Sequence, residues 1–189
     1  MRARRVGAVA LTGVLSLGVL DNIGVRSAGA SSTSKSAVCF QALIDVHNRL
    51  APIVEAANRQ VSLRVGPWDP AGSELTVGDT YDAEVLTVAD DVIEMHLNCA
   101  TTRPVSRRQM RPAFRFLVLH EYTHILQRTF GEPDFDPDGE HMADCAAVLM
   151  MWSWDWPMPA GALDGSHGGC PAEMYGPTYD WLVAHGVAL

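Results

Sequence analysis

The order of hydrophobic and polar residues predicts one helix followed by three short strands. Apolar residues recur at spacings of three and four over 37–59, which is typical of an amphipathic helix, and Pro52 is expected to kink or end its first part. Apolar and polar residues then alternate over 60–65, 80–88 and 91–97, as they do in half-buried strands. The stretch between the first two strands is rich in Gly, Pro and Asp and indicates a loop.

The second half of the chain predicts three more helices. The first is apolar on nearly all sides and is therefore expected to be buried. It ends before Gly131, and two starts are open, one near Ser106 and one with Pro112 at the first position. A second helix is expected over 139–152, after an acidic turn. Alternating tryptophans and a Gly-rich loop then lead to a last helix over 171–185.

Composition identifies the class of protein. The chain has 189 residues, of which 48% are hydrophobic and 19% charged, as expected for a globular protein with a sizeable core. Its formal net charge of −8 argues against nucleic acid as a partner, because phosphate binding needs a basic surface. No internal repeat divides the chain, so we expect one folded domain over 37–189.

The N-terminus is typical of an export signal. Three arginines within the first five residues precede an uncharged apolar run over 6–20, and a small-x-small cleavage pattern follows at 28–30. We therefore expect 1–30 to be a signal peptide, 31–36 to be a flexible lead, and the mature protein to be secreted. The alternative is an uncleaved N-terminal membrane anchor, although the apolar run is short for a span.

The cysteines fit an oxidising environment. Their number is four, and an even number in an exported chain favours two disulfides. Three pairings are possible. We favour Cys39–Cys99 and Cys145–Cys170, because each pair would tie a flanking segment to a central element. Zinc binding by thiolates is the weaker alternative, because the sequence has no Cys-x-x-Cys pair.

The buried helix carries the strongest candidate chemistry. His120, Glu121 and His124 form the pattern H-E-x-x-H, and residues four apart lie one turn above each other on one helix face. The two rings can therefore hold one metal ion, and Glu121 can reach a water bound to it. The alternative is a pair of core histidines. A buried helix, however, rarely carries two histidines and a glutamate that are neither paired nor bound to a metal.

A third metal ligand has to come from outside this helix. In the pattern H-E-x-x-H-x-x-G-x-x-H/D the same segment supplies it, but here Gln127 and Phe130 stand at the glycine and ligand positions. Glu140 is the next candidate, because a turn over 131–138 would bring the start of the next helix back toward the histidines. Asp144, one turn later, would face the histidine rings and accept an N–H from one of them.

The two helices together resemble a known family. The segments His-Glu-Tyr-x-His-x-x-Gln at 120–127 and Glu-x-x-Ala-Asp-Cys-x-Ala at 140–147 are similar to the predicted neutral zinc metallopeptidases of bacteria and, more broadly, to the gluzincins. The motifs cover about 91–151. The resemblance implies a zincin-like α+β fold, with a short antiparallel or mixed sheet packed on an active-site helix and a following ligand-bearing helix. The sequence departs from the family at Thr123, where glycine is common.

The resemblance also implies a role for each residue of the two motifs. The ligand positions are matched by His120, His124 and Glu140, the general base by Glu121, and the acid that holds a ligand histidine by Asp144. The expected activity is that of a secreted zinc peptidase with one zinc per chain. In this activity Glu121 takes a proton from a metal-activated water and passes it to the leaving amine.

The group that would stabilise the tetrahedral intermediate stays open at this point. The candidate donors are His141, His167, Tyr175 and Tyr179, each with a structural role as its alternative. The tryptophans that follow the second of these helices are expected to pack in the core, and a hydrophobic substrate subsite is their alternative role.

A second metal site is a weaker expectation. Asp134, Asp136 and Asp138 give the D-x-D-x-D-G start of a calcium loop. Cys145 stands where the last acidic ligand belongs, so a solvated acidic turn is the main interpretation and calcium binding the lesser one.

Two other functions remain open. The chain can be a non-catalytic exported metal-binding or interaction protein that keeps zinc for stability, or a metal-dependent hydrolase of non-peptide amides. The expected partner of the peptidase is a peptide or protein substrate, without nucleic acid and without a membrane after signal cleavage. The chain is expected to be a monomer.

Overall fold

The structure is a computed structural model that describes residues 35–65, 83–89, 91–97, 107–136, 139–160, 162 and 169–189. The chain divides into two units, Met1–Ser32 and Thr33–Leu189, and every described residue belongs to the second. The expected signal peptide, Cys99 and His167 lie outside the described residues. Among the residues described, no helix is long and apolar enough to cross a membrane.

A three-stranded sheet has the order β1-β3-β2, with β1 at Gln60–Val65, β2 at Ala83–Ala89 and β3 at Val92–Leu97. β2 and β3 are antiparallel, whereas β1 and β3 are parallel. The α+β class is therefore confirmed, and a purely antiparallel sheet is wrong. The physical reason is that β3 turns back from β2 and lies between β2 and β1, so that it follows the direction of β1.

The described residues also form four helices: α1 at Lys35–Ala56, α2 at Arg107–Phe130, α3 at Glu140–Ser153 and α4 at Tyr175–Ala184. The helices α1 and α2 contact the sheet, and α3 packs on α2. A 3-10 turn at Ala172–Met174 precedes α4. The start of α1 corrects one expectation, because the last two residues of the expected flexible lead are already helical.

Both prolines that were expected to end or start a helix lie inside one. Pro52 is within α1 and Pro112 within α2, so the possible start of α2 at Pro112 is wrong. Met110 and Phe114, on either side of Pro112, are buried in the core. Their burial offsets the backbone hydrogen bond that proline cannot make.

The core lies between one face of the sheet and the first two helices. Ile93, Met95 and Leu97 of β3 are fully buried, as the alternation of the strand predicts, but Glu94 and His96 on its other face are buried too. Leu43 on α1 and Phe114 on α2 belong to the same cluster. α2 is thus a buried helix, and any polar side chain on its inner faces needs a partner.

The tryptophans after α3 mostly pack, as expected. Trp154 and Trp156 meet edge to face with ring centroids 5.1 Å apart, and both border the core. The guanidinium of Arg49 lies 4.7 Å from the Trp154 ring centroid, and that of Arg115 lies 3.9 Å from the Trp156 centroid. These cation–π contacts fix the segment after α3 on α1 and α2.

One of the two expected disulfides is present among the described residues. Cys145 on α3 is bonded to Cys170, with a Cα–Cα distance of 4.7 Å. Cys39 is also disulfide-bonded, and its expected partner Cys99 lies outside the described residues. The Cys145–Cys170 bond ties the chain before α4 to the middle of α3.

Candidate metal centre

Helix α2 places the two histidines of the H-E-x-x-H pattern one turn apart. Their Nε2 atoms are 3.3 Å from each other, and the ring centroids are 5.0 Å apart. The α-helix brings residues four apart together on one face, so this contact follows directly from the spacing of His120 and His124. Both rings direct Nε2 to the same point.

The turn between α2 and α3 brings a carboxylate to that point. Gly131 ends α2 and Gly139 precedes α3, both in the left-handed region, with φ of +96° and +74°. Glu140 is the first residue of α3. Its Oε2 lies 3.3 Å from Nε2 of His120, and its Oε1 lies 3.6 Å from Nε2 of His124.

These three side chains can hold a metal ion, and no other such group occurs among the described residues. Tetrahedral bonds of about 2.0–2.1 Å put neighbouring donor atoms about 3.3 Å apart. The separation of 3.3 Å between the two Nε2 atoms matches that value, and with one ligand atom taken from each residue the three atoms lie within 4.8 Å of one another. The side chains of His120, His124 and Glu140 are 8%, 19% and 32% exposed, so the centre opens to solvent on the side of the glutamate.

A second set of hydrogen bonds orients both rings. Nδ1 of His120 lies 2.8 Å from Oδ1 of Asp144, and Nδ1 of His124 lies 2.7 Å from Oε1 of Gln127. Both partners are oxygen acceptors, so each Nδ1 carries the proton and donates it. In the neutral form of each ring, Nε2 therefore has the lone pair that a metal needs. Asp144 is fully buried one turn after Glu140.

The two histidines differ in electrostatics because their surroundings differ. Burial opposes a charge on His120, but hydrogen bonds to Asp144 and Glu140 and the nearby charge of Glu121 outweigh it and raise its pKa to about 9. Burial lowers the pKa of His124, and the charge of His120 lowers it further. The carboxylates thus favour a positive charge, on a proton or on a metal ion, at the point where the three donors meet.

Glu121 and Thr123 lie between the two ligand positions along the helix. Glu121 is half-buried, and its charge contributes to the raised pKa of His120, its neighbour along the chain. Thr123 is fully buried and donates its hydroxyl hydrogen to the carbonyl oxygen of Leu119 at 2.9 Å. The hydroxyl group that threonine places at this position is therefore hydrogen-bonded within α2.

The candidate oxyanion donors are spread over the molecule. Nδ1 of His141 lies 3.7 Å from Oδ1 of Asp136. Tyr175 stacks on Trp152 near the far end of α3, about 18 Å along the helix axis from its start, given a rise of about 1.5 Å per residue. The structure therefore does not bring Tyr175 to the metal centre. Tyr179 is exposed on α4.

The acidic turn has a structural use that the sequence did not predict. Asp136 is buried, and its Oδ2 accepts a hydrogen bond of 2.6 Å from the backbone N–H of Met142. Asp136 thereby satisfies a free donor in the first turn of α3. Asp134 is exposed and Asp138 lies outside the described residues, so calcium binding there stays a prediction.

Two polar contacts of α2 were missed by the sequence reasoning. The sequence places Gln127 where another pattern has glycine and at the end of the first motif, but it does not predict the contact with His124. The spacing of three between these residues is nevertheless that of neighbours on a helix face. Tyr122 is fully buried, and its hydroxyl lies 2.9 Å from Nδ1 of His47 on α1. No spacing rule could have found that long-range pair.

A comparison of this chain with protein-family models, curated proteins and solved structures finds no match. The observations that bear on function are therefore the geometry of the centre and the two motifs on α2 and α3.

Proposed function

We propose that this chain is a zinc-dependent peptidase with a zincin-like fold, exported from the cell. The observation that carries the proposal is the convergence of two imidazole nitrogens and one carboxylate, from His120, His124 and Glu140, beside Glu121. Three protein ligands with one position left open are typical of catalytic zinc, whereas structural zinc sites are usually closed by four.

The donor set favours zinc over other common ions. Two imidazole nitrogens and one carboxylate that lie within 4.8 Å of one another suit zinc, whereas calcium and magnesium prefer a shell of oxygen atoms. Asp144 and Gln127 hold Nδ1 of the two rings and keep Nε2 available, which is the arrangement expected around ligand histidines.

The chemistry follows from the roles that the side chains can take. Zinc held by His120, His124 and Glu140 would supply a bound water with a pKa of about 7 and a Lewis acid for a carbonyl oxygen. Glu121 accepts the proton of the attacking water and donates it to the leaving amine. His120 is kept in the correct tautomer by Asp144 throughout.

A peptide substrate is supported by the resemblance to neutral zinc metallopeptidases and by the solvent access of the centre. Glu140 is the most exposed of the three ligand residues, at 32% of its side chain, so an extended chain can approach from its side. The Cys145–Cys170 disulfide supports an oxidising compartment, in agreement with the signal-like N-terminus.

The test of the proposal is the variant Glu121→Gln, assayed on an unfolded protein substrate with zinc content measured in parallel. Loss of a general base is expected to lower the rate by about 10²–10⁴-fold. The variant should still bind one zinc per chain, because Glu121 is not a ligand. The matched control is Glu132→Gln, which changes an exposed glutamate in the turn after α2 and should leave both quantities unchanged.

Two outcomes would contradict the peptidase mechanism. Unchanged hydrolysis by Glu121→Gln would show that Glu121 is not the general base. A wild-type chain that binds one zinc, melts at a much lower temperature after chelation and cleaves no peptide in a library would instead be a non-catalytic metal-binding protein.

A further inference from the structure

Gln127 connects the two helices that form the metal centre. Its side chain is almost fully buried, and every polar atom of its amide has a partner. Oε1 accepts the N–H of His124 at 2.7 Å. Nε2 donates to the carbonyl oxygen of Gly139 at 3.1 Å and lies 3.3 Å from Sδ of Met142. One amide thus joins a ligand ring on α2 to the residue that precedes the ligand Glu140.

Gly139 leaves room for this connection. A Cβ atom on residue 139 would lie 2.8 Å from Nε2 of Gln127, closer than real Cβ contacts, and 3.0 Å from Oε1, which is tighter than most of them. The residue also has a φ of +74°, which favours glycine for a separate reason. Its carbonyl oxygen accepts a second hydrogen bond, from the N–H of Ala143 at 3.0 Å, so it is fixed to the first turn of α3.

We propose that Gln127 is a positioning residue that sets both the orientation of His124 and its distance to Glu140, with Gly139 as its required partner. The proposal rests on the metal centre proposed above and adds a residue to it. Gln127 does not touch the metal. It acts through His124 on one side and through the backbone before Glu140 on the other.

If Gln127 contributed only to packing, a different result would be expected. Methionine has a similar volume and shape to glutamine, so Gln127→Met would keep the packing and remove both hydrogen bonds. If Gln127 only fills space, the affinity for zinc stays the same. If it positions His124 and Glu140, the affinity falls even though the variant folds.

The experiment measures zinc affinity of the full chain by competition with a chromophoric chelator, with circular dichroism as the check on folding. Loss of a partner that orients a ligand typically weakens metal binding about 10–100-fold, and this is the expected effect of Gln127→Met. Gln127→Glu keeps an acceptor for His124 and loses the donor to Gly139, so its affinity should lie between those of Gln127→Met and the wild type. The matched control is Gln109→Met on the same helix, which removes one hydrogen bond, to the N–H of Ala160, and should not change zinc affinity.

The variants at residue 139 test the partnership separately. Gly139→Asn tolerates a positive φ better than Gly139→Ala, but both introduce a Cβ and should weaken zinc binding through Gln127. In a Gln127→Ala background, the same substitutions should have little further effect on zinc affinity, because the clash is gone. Additive effects would overturn the partnership of the two residues.

The outcomes separate this inference from the proposed function. A wild-type chain that binds no zinc overturns both. A wild-type chain that binds zinc, together with a folded Gln127→Met variant that binds it equally well, overturns only the role of Gln127.

Discussion

Helix α2 carries two charged clusters, and they differ in how their charges are balanced. The first, near the start of the helix, joins Arg111 and Arg115 to Asp45 of α1. The second is the candidate metal centre, about two turns further along. Both lie at the edge of a hydrophobic core, where an unbalanced charge is costly.

The first cluster is complete in itself. The guanidinium groups of Arg111 and Arg115 donate to Oδ2 of Asp45 at 2.8 and 2.6 Å, and Gln41 donates to Oδ1 at 2.9 Å. Within the described part of the chain, Nε of Arg115 has no hydrogen-bond partner, but the face of this guanidinium lies on the Trp156 ring. Burial works to raise the pKa of Asp45, and the hydrogen bonds from the two arginines outweigh it and lower the pKa to about 2.

The metal centre has an excess of negative charge. Three carboxylates, from Glu121, Glu140 and Asp144, act on His120, and its raised pKa reflects them. Oδ2 of Asp144 is buried and has no hydrogen-bond partner among the residues that the structure describes. The single positive charge of a protonated His120 would not balance three carboxylates. The comparison indicates that the first cluster stabilises the fold by itself, whereas the second is arranged for a cation.

The largest expected effect that separates the clusters is on zinc affinity. Asp144→Ala removes both the charge and the acceptor of the His120 N–H and should weaken zinc binding about 10–100-fold. Asp144→Asn keeps an acceptor and should have the smaller effect. The measurement is zinc competition at pH 7, with Asp45→Asn as the control that should bind zinc like the wild type. Equal zinc affinity in Asp144→Ala and the wild type would mean that the two clusters do not differ as described.

A smaller effect is expected on the pH dependence of folding. The pKa of Asp45 is lower in the folded chain than its ordinary value of 3.8, so its ion pairs stabilise the fold fully above about pH 4. This stabilisation is lost as the pH falls through about 2. Asp45→Asn should therefore lower the free energy of unfolding by about 1 kcal/mol at pH 7, because the carboxylate is only partly shielded from solvent.

Denaturant unfolding at pH 7, 5 and 3 would measure this difference between Asp45→Asn and the wild type. The difference should shrink between pH 5 and pH 3. A difference that stays constant over this range would show that the charge of Asp45 is not its source.

The parts of the centre that sequence could predict are local. The spacing of His120 and His124 is a property of any helix, and so is the spacing of Glu140 and Asp144. Their approach across the turn depends on two glycines with positive φ, and the sequence indicates a turn there without its exact path. The contact from Gln127 to Gly139 and the cap formed by Asp136 follow from that path, so no residue period could reveal them.

The wrong predictions about the fold have a similar cause. Alternation in β1 and β3 predicts strands but carries no information on their relative direction, which depends on the order of strands in the sheet. A local rule disfavours proline inside helices, but Pro52 and Pro112 both lie inside one, and at Pro112 the burial of neighbours such as Phe114 overrides the rule.

The most direct test of the account is the metal content of the purified full chain at neutral pH. The protein is incubated with a small excess of zinc, passed through gel filtration and analysed by elemental mass spectrometry. The account predicts one zinc per chain in the wild type and almost none in a folded variant that carries both His120→Ala and His124→Ala. A wild-type chain without zinc, or a double variant that retains as much as the wild type, would contradict it.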